Sequence, residues 1–365
     1  VTSASEPRRV AFCLPSYSSH AIGGYRIVYE YANRLAAAGH SVAVLHVVPS
    51  MGFTGADRWV RREAWGRRLD AWRHRADIGW MTIDPRVEMI RVRDLTTKHL
   101  GGYDAIVATA WQTGGPVAAA TAKHGSRGFY LVQHHETWGG DAADVEATWR
   151  LPLHKIVISR WLVDLVAKHD DPSRVSYVPN GLDLDSFRIE QEIVDRDPFH
   201  VGMLSHPEWW KGTTYGLQAL DLVRQREPRA RFTLFGNGPR PDVLEAADGY
   251  ERALSGAALR AYYNNLAVFM HPSLAEGWPL PPAEAMACGA ALVAADNPGV
   301  LDYAAAGETA AVVPREDPEA LAEAVLALLR DPERRIALAR SGHAAMQAYT
   351  WDRALVSFRE ALAVT

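Results

Sequence analysis

The chain has 365 residues, 48% of them hydrophobic and 22% charged, with a formal net charge of -4. These values exclude a mostly disordered chain and disfavour a general nucleic-acid binder, and the length suits two domains, each with its own core. Cys13 and Cys288 lie far apart without metal-ligand spacing. They therefore imply neither a disulfide framework nor a zinc site.

In chain order, VTSASEPRR shows no charged-then-apolar leader pattern and runs into a strand at Val10–Leu14. Gly23-Gly24 precede a helix over Tyr25–Ala38, whose Ile27, Val28, Tyr31 and Leu35 share one face. Gly39-His40 stops it, and Val42–Val48 is the next strand. Residues 57–80 follow, with seven arginines against four acids between Asp57 and Asp77, and Trp59, Trp65 and Trp72 interleaved. This stretch reads as an acceptor-side element touching an apolar acceptor or an anionic membrane surface, or as a helix docked on its own domain. Strands at 105–108, 129–132, 156–158 and 175–178 continue the pattern, with Ser159 capping a helix between the last two.

The charge-rich stretch from Asp183 to Pro198 reads as the connection between domains. Beyond it the alternation starts again: strands at 200–204, 231–235, 268–271 and 290–294, helices at 215–224, 283–287, 318–329 and 332–348, and an amphipathic last segment at 351–362. Such alternation predicts an α/β protein of two doubly wound, Rossmann-like domains, at 1–190 and 198–348, with a C-terminal helix over 349–365 packing back on the first. Ligands of open parallel sheets bind beyond the carboxyl ends of the strands, so two facing domains should line a cleft with their loops. No apolar run reaches the roughly 20 residues of a membrane span, and the expected location is cytoplasmic, with the inner membrane face as the alternative.

Candidate chemistry gathers in three places. HPSLAEGWPLPPAEAMACG sets Glu276 in a loop after a strand and Glu284 in the first turn of the following helix. Pro281 and Pro282 suit a helix start, whose unpaired N–H groups favour a diphosphate. A glutamate inside that helix can accept from a ribose diol, and one before it can hold sugar hydroxyls. VGMLSHPEWWKG places Lys211-Gly212 ahead of a helix, where lysine can neutralise a diphosphate and glycine permits close approach. Gly23-Gly24 allow close approach after the first strand. No G-x-G-x-x-G is present, which disfavours a dinucleotide oxidoreductase.

Taken together, these stretches resemble the retaining glycosyltransferases of the GT-B fold, glycosyltransferase family 4. LAAAGHSVAVL, ISRWLVDLV, VPNGLDLDSF, the Lys-Gly loop, FGNGP and EGWPLPPAEAMACG follow in family order. The resemblance implies transfer of a sugar from a nucleotide-diphosphate sugar to an acceptor hydroxyl with retention, without metal or further cofactor. By the same resemblance Lys211 stabilises the diphosphate, Glu276 holds the transferred sugar, and His134, with His135 second, lies near that sugar. Glu284 binds the ribose, and His206, Gly212, Gly277, Trp278, Pro279, Leu280, Gly23 and Gly24 complete the donor site. Two positions depart from the pattern. Met203 stands where many members have arginine, so His206 or Arg240 supplies the charge or Lys211 carries more of it. Pro279 replaces a glycine and removes one N–H donor. These departures keep a catalytically weak sugar-nucleotide-binding module and a GT-B epimerase as alternatives.

Overall fold

A computed structural model describes residues 8–48, 78–238 and 247–364. Most of the basic 57–80 stretch, and Arg240, lie outside those residues. The chain forms two compact units: residues 1–180 with 352–365, and residues 181–351. The dividing points thus fall at Asn180 and Trp351, whereas the sequence reading put the first of them at 190–198.

The first unit holds β1 (Arg9–Leu14), α1 (Gly23–Ala37), β2 (Ser41–Val47), β3 (Val87–Val92), β4 (Ala105–Ala108), α2 (Trp111–His124), β5 (Arg127–Val132), α3 (Ala142–Trp149), β6 (His154–Val157), α4 (Arg160–Val166) and β7 (Val175–Tyr177). Its seven strands are parallel, in the order β3-β2-β1-β4-β5-β6-β7. β1 is buried from Val10 to Leu14, as a strand covered on both faces must be. The glycines placed before the first helix are instead its first two residues. Ile22, the residue before them, gives the helix no side-chain cap.

In the second unit lie β8 (His200–Leu204), α5 (Thr213–Arg226), β9 (Arg231–Gly236), β10 (Gly249–Arg252), α6 (Gly256–Asn264), β11 (Val268–His271), α7 (Leu280–Ala287), β12 (Ala291–Ala295), β13 (Ala311–Val313), α8 (Pro318–Arg330) and α9 (Pro332–Met346). Its six strands are also parallel, ordered β10-β9-β8-β11-β12-β13. Asp317 and Asp331 cap α8 and α9 by accepting from Ala320 N and Arg334 N, each followed by proline at the first helical position. The core joins Val201, Phe232, Val268 and Val293 of the sheet to Leu220, Val223, Leu321 and Val325 of the helices.

Two expectations need correction here. The stretch from Asp183 to Pro198, read as the connection between domains, lies within the second unit, where the buried Arg196 holds it. Its guanidinium donates to the carbonyl oxygens of Gln191, Leu266 and Cys288 at 2.9, 3.1 and 2.6 Å. Ser159 stands at the N-cap of α4 but makes no side-chain cap bond. The last helix, α10 (Trp351–Ala363), buries Ala354, Phe358, Ala361 and Leu362. Phe358 stacks on Tyr31 of α1 with ring centroids 4.1 Å apart, and Phe12 of β1 lies 6.0 Å away.

Candidate functional site

In each sheet the strand order reverses direction at one place, between β1 and β4 in the first unit and between β8 and β11 in the second. Loops leaving neighbouring strands there run to opposite faces and leave a crevice. Lys211-Gly212 follow β8 and Glu276 follows β11, so the second crevice brings together residues 65 positions apart. Lys211 Nζ donates to both carboxylate oxygens of Glu276 at 2.9 Å. Glu276 is buried and Lys211 retains partial exposure.

Backbone contacts hold this pair in place. Gly212 is left-handed at φ +63°, and a Cβ there would stand 2.1 Å from the Pro272 carbonyl oxygen. Only glycine permits that approach. Leu274 N donates to Trp210 O at 2.7 Å, and Asn297 Nδ2 to Ser273 O at 3.1 Å. The loop after β8 is also tied to α5, since His206 N donates to Thr213 Oγ1 at 3.0 Å. Burial pushes His206 and His271 down to about 4, with Lys211 adding to the effect. Both rings are therefore neutral at pH 7, and His206 does not supply the cation that Met203 lacks. Met203 itself is fully buried in the core, in a strand that runs on to Leu204.

The loop after β11 leads through Gly277 and Trp278 into α7. Trp278 is buried, with its ring 4.7 Å from Tyr303 and 5.5 Å from Tyr349. Pro279 is the N-cap of α7, its carbonyl accepts from Tyr303 Oη at 2.7 Å, and Leu280 is the first helical residue. Glu284 is buried in the second turn rather than the first, and Tyr263 Oη donates to its Oε2 at 3.3 Å. His271, Tyr263, Ser273 and Asn297 escaped the sequence reading. Only His271 had a signal there, at the strand end before Pro272.

The other predicted residues lie in the first unit. A Cβ at Gly24 would stand 3.3 Å from Gln133 Nε2, so the start of α1 lies against the loop after β5, while Gly23 faces open space. In that loop His134 sets its ring edge-on to Trp138 and Trp161, at 4.3 and 5.9 Å. Glu136 accepts from Trp111 N at the start of α2 at 2.8 Å, and burial pushes it up to about 7. Among the described residues, no group of three or more His, Cys, Asp or Glu side chains is arranged to hold a metal ion. No helix among them is long and apolar enough to cross a membrane.

Two doubly wound parallel sheets in one chain, each with its loop residues at the reversal of strand order, are the architecture of the GT-B class. Sucrose-phosphate synthase from Thermosynechococcus elongatus shares it, with a TM-score of 0.75 at 19% identity, over 97% of this chain and 98% of that one. Residues 196–331 match the family model described as Glycosyl transferases group 1. Among curated relatives, a D-inositol 3-phosphate glycosyltransferase of Mycolicibacterium paratuberculosis is 27% identical over 61% of this chain. A GDP-mannose-dependent alpha-(1-6)-phosphatidylinositol monomannoside mannosyltransferase of Mycolicibacterium smegmatis is 28% identical over 53% of it. The matches span 55% and 58% of those relatives' own lengths.

Proposed function

We propose that the chain is a retaining glycosyltransferase that moves a sugar from a nucleotide-diphosphate sugar to an acceptor hydroxyl. The observation that carries this reading is the Lys211–Glu276 pair at the crevice of the second unit, in a segment of glycosyl transferase sequence. An ammonium group at such a crevice is suited to a diphosphate leaving group, and a buried carboxylate beside it to sugar hydroxyls. The start of α7, where Pro279, Pro281 and Pro282 carry no N–H, adds the Leu280 N–H and a positive dipole end. Glu284, held by Tyr263, is the ribose acceptor in this scheme, and His206 adds a neutral ring. The named relatives support a nucleotide-sugar donor, since one is GDP-mannose-dependent.

The scheme assigns charge on the leaving diphosphate to Lys211 and the helix start, so turnover should survive EDTA. Proton balance is met if the departing phosphate oxygen takes the acceptor's proton on the face from which it leaves. The loops of the first unit, with Gly23, Gly24 and His134, would then serve the acceptor and the transferred sugar. The acceptor is a hydroxyl compound, a glycan, a glycolipid or a small natural product.

Lys211→Ala tests the reading, with an expected loss of about 10²–10³ in kcat. Because the substitution strands Glu276 without its partner, Lys211→Met with Glu276→Gln should be made beside it to restore the fold while leaving transfer absent. Near-wild-type turnover in either variant overturns the assignment.

A further inference from the structure

The four residues of the loop after β5 are each held by a different part of the first unit. Gln133 lies against the start of α1, His134 between Trp138 and Trp161, and Glu136 on the first N–H of α2. His135 faces α3: its Nε2 stands 3.3 Å from Glu146 Oε1, at ion-pair distance but without hydrogen-bond geometry. The other carboxylate oxygen of Glu146 faces His169 Nε2, in the turn after α4, at 3.7 Å. Fully buried Trp149 packs against both imidazoles, with centroids 5.3 Å from His135 and 5.5 Å from His169. Arg150 faces the far nitrogen of His169 at 3.4 Å.

One carboxylate thus joins a loop of the candidate site to a helix and a turn that carry none of its other residues. We propose that Glu146 is a positioning residue for sugar transfer: by engaging His135 from α3, with His169 as its second anchor, it fixes the backbone that presents His134. This inference rests on the transferase reading and on the place of His134 within it. Glu146 touches no substrate in this scheme, and it acts only through His135. A ring misplaced by about 1 Å can cost on the order of 10²-fold in rate.

The test compares Glu146→Ala with Glu146→Gln, whose amide oxygen can still face His135. Glu146→Ala should lower kcat on the order of 10²-fold, while nucleoside-diphosphate affinity, a property of the second unit in this reading, stays within about twofold. Glu146→Gln should recover most of the lost rate. Wild-type kcat in the alanine variant, or a glutamine variant as slow as alanine, overturns the proposal. If Glu146→Ala does not fold, Glu146→Asp, which withdraws the carboxylate by one methylene, takes its place with the same outcomes.

Histidine-ring NMR gives a second readout that needs no activity. Glu146 raises the His135 titration point against the opposing effects of burial and His169. Loss of Glu146 should therefore lower that point and shift the ring signals of His134. Unmoved His134 signals overturn the positioning role. Absence of transfer with every nucleotide sugar would instead overturn the transferase reading, and the NMR outcome would still decide whether Glu146 positions the loop.

Discussion

A methyl group added at Gly212 would meet the Pro272 carbonyl oxygen, and the left-handed backbone there is strained for any residue with a Cβ. Gly212→Ala should cost about 2–4 kcal/mol and pull Lys211 from Glu276, lowering both the denaturation midpoint and turnover. Unchanged values of both would contradict this geometry. Three histidines make a prediction about pH. Burial holds His46, His206 and His271 near 4, below the ordinary 6.5. Between those values the unfolded chain binds more protons, so stability should fall as pH drops from about 6.5 to 4. Glu136, raised to about 7 from 4.5, works in the opposite sense, favouring the folded state more as pH falls through that range. Melting temperatures measured from pH 7 to 4 should decline in the wild type and less steeply in His46→Gln. Equal slopes would show that His46 contributes nothing. The residue types of this site were legible in the sequence. Their protonation was not, since burial is set by groups remote in the chain.

At the scale of elements, the helix starts read at 318 and 332 stand in the structure, where Asp317 and Asp331 cap them. Capping acts over three residues and can be read locally. The stretch 183–198 shows the opposite case. Its charge density suggested a connection between domains, yet Arg196 ties it to the carbonyl oxygens of Leu266 and Cys288, 70 and 92 positions away. Arg196→Ala leaves buried acceptors without a donor and should cost about 3 kcal/mol in chemical denaturation. A change under about 0.5 kcal/mol, the size of an ordinary surface substitution, would mean that the segment is held by other contacts. Short strands such as β10 and β13 escaped the sequence reading because a few residues at a sheet edge carry little periodic signal.

For the whole molecule, each unit has its own parallel sheet and core, and Lys211, Glu276 and Glu284, the residues proposed for the diphosphate, sugar and ribose, lie in the second. A nucleoside diphosphate should therefore raise the melting transition of the second unit, by about 2.7 kcal/mol at 100 times its Kd. Calorimetry of wild type and Glu284→Ala checks this, with the shift expected to shrink in the variant. An equal shift in both proteins would remove Glu284 from the ribose site. The division at Asn180 could not be read from composition, because the residues after it are as polar as a linker and yet packed.

The sequence by itself determined the alternation of strands and helices, the doubling of that pattern, and the motifs at the carboxyl ends of particular strands. Those features rest on periodicity, capping and turn chemistry, which act within a few residues. Tertiary structure alone decided that Lys211 meets Glu276, that Met203 lies in the core, that His206 is neutral, and that Glu146 joins His135 to His169. Each depends on which surfaces are removed from water and which charges then face one another, and only the folded chain sets those distances.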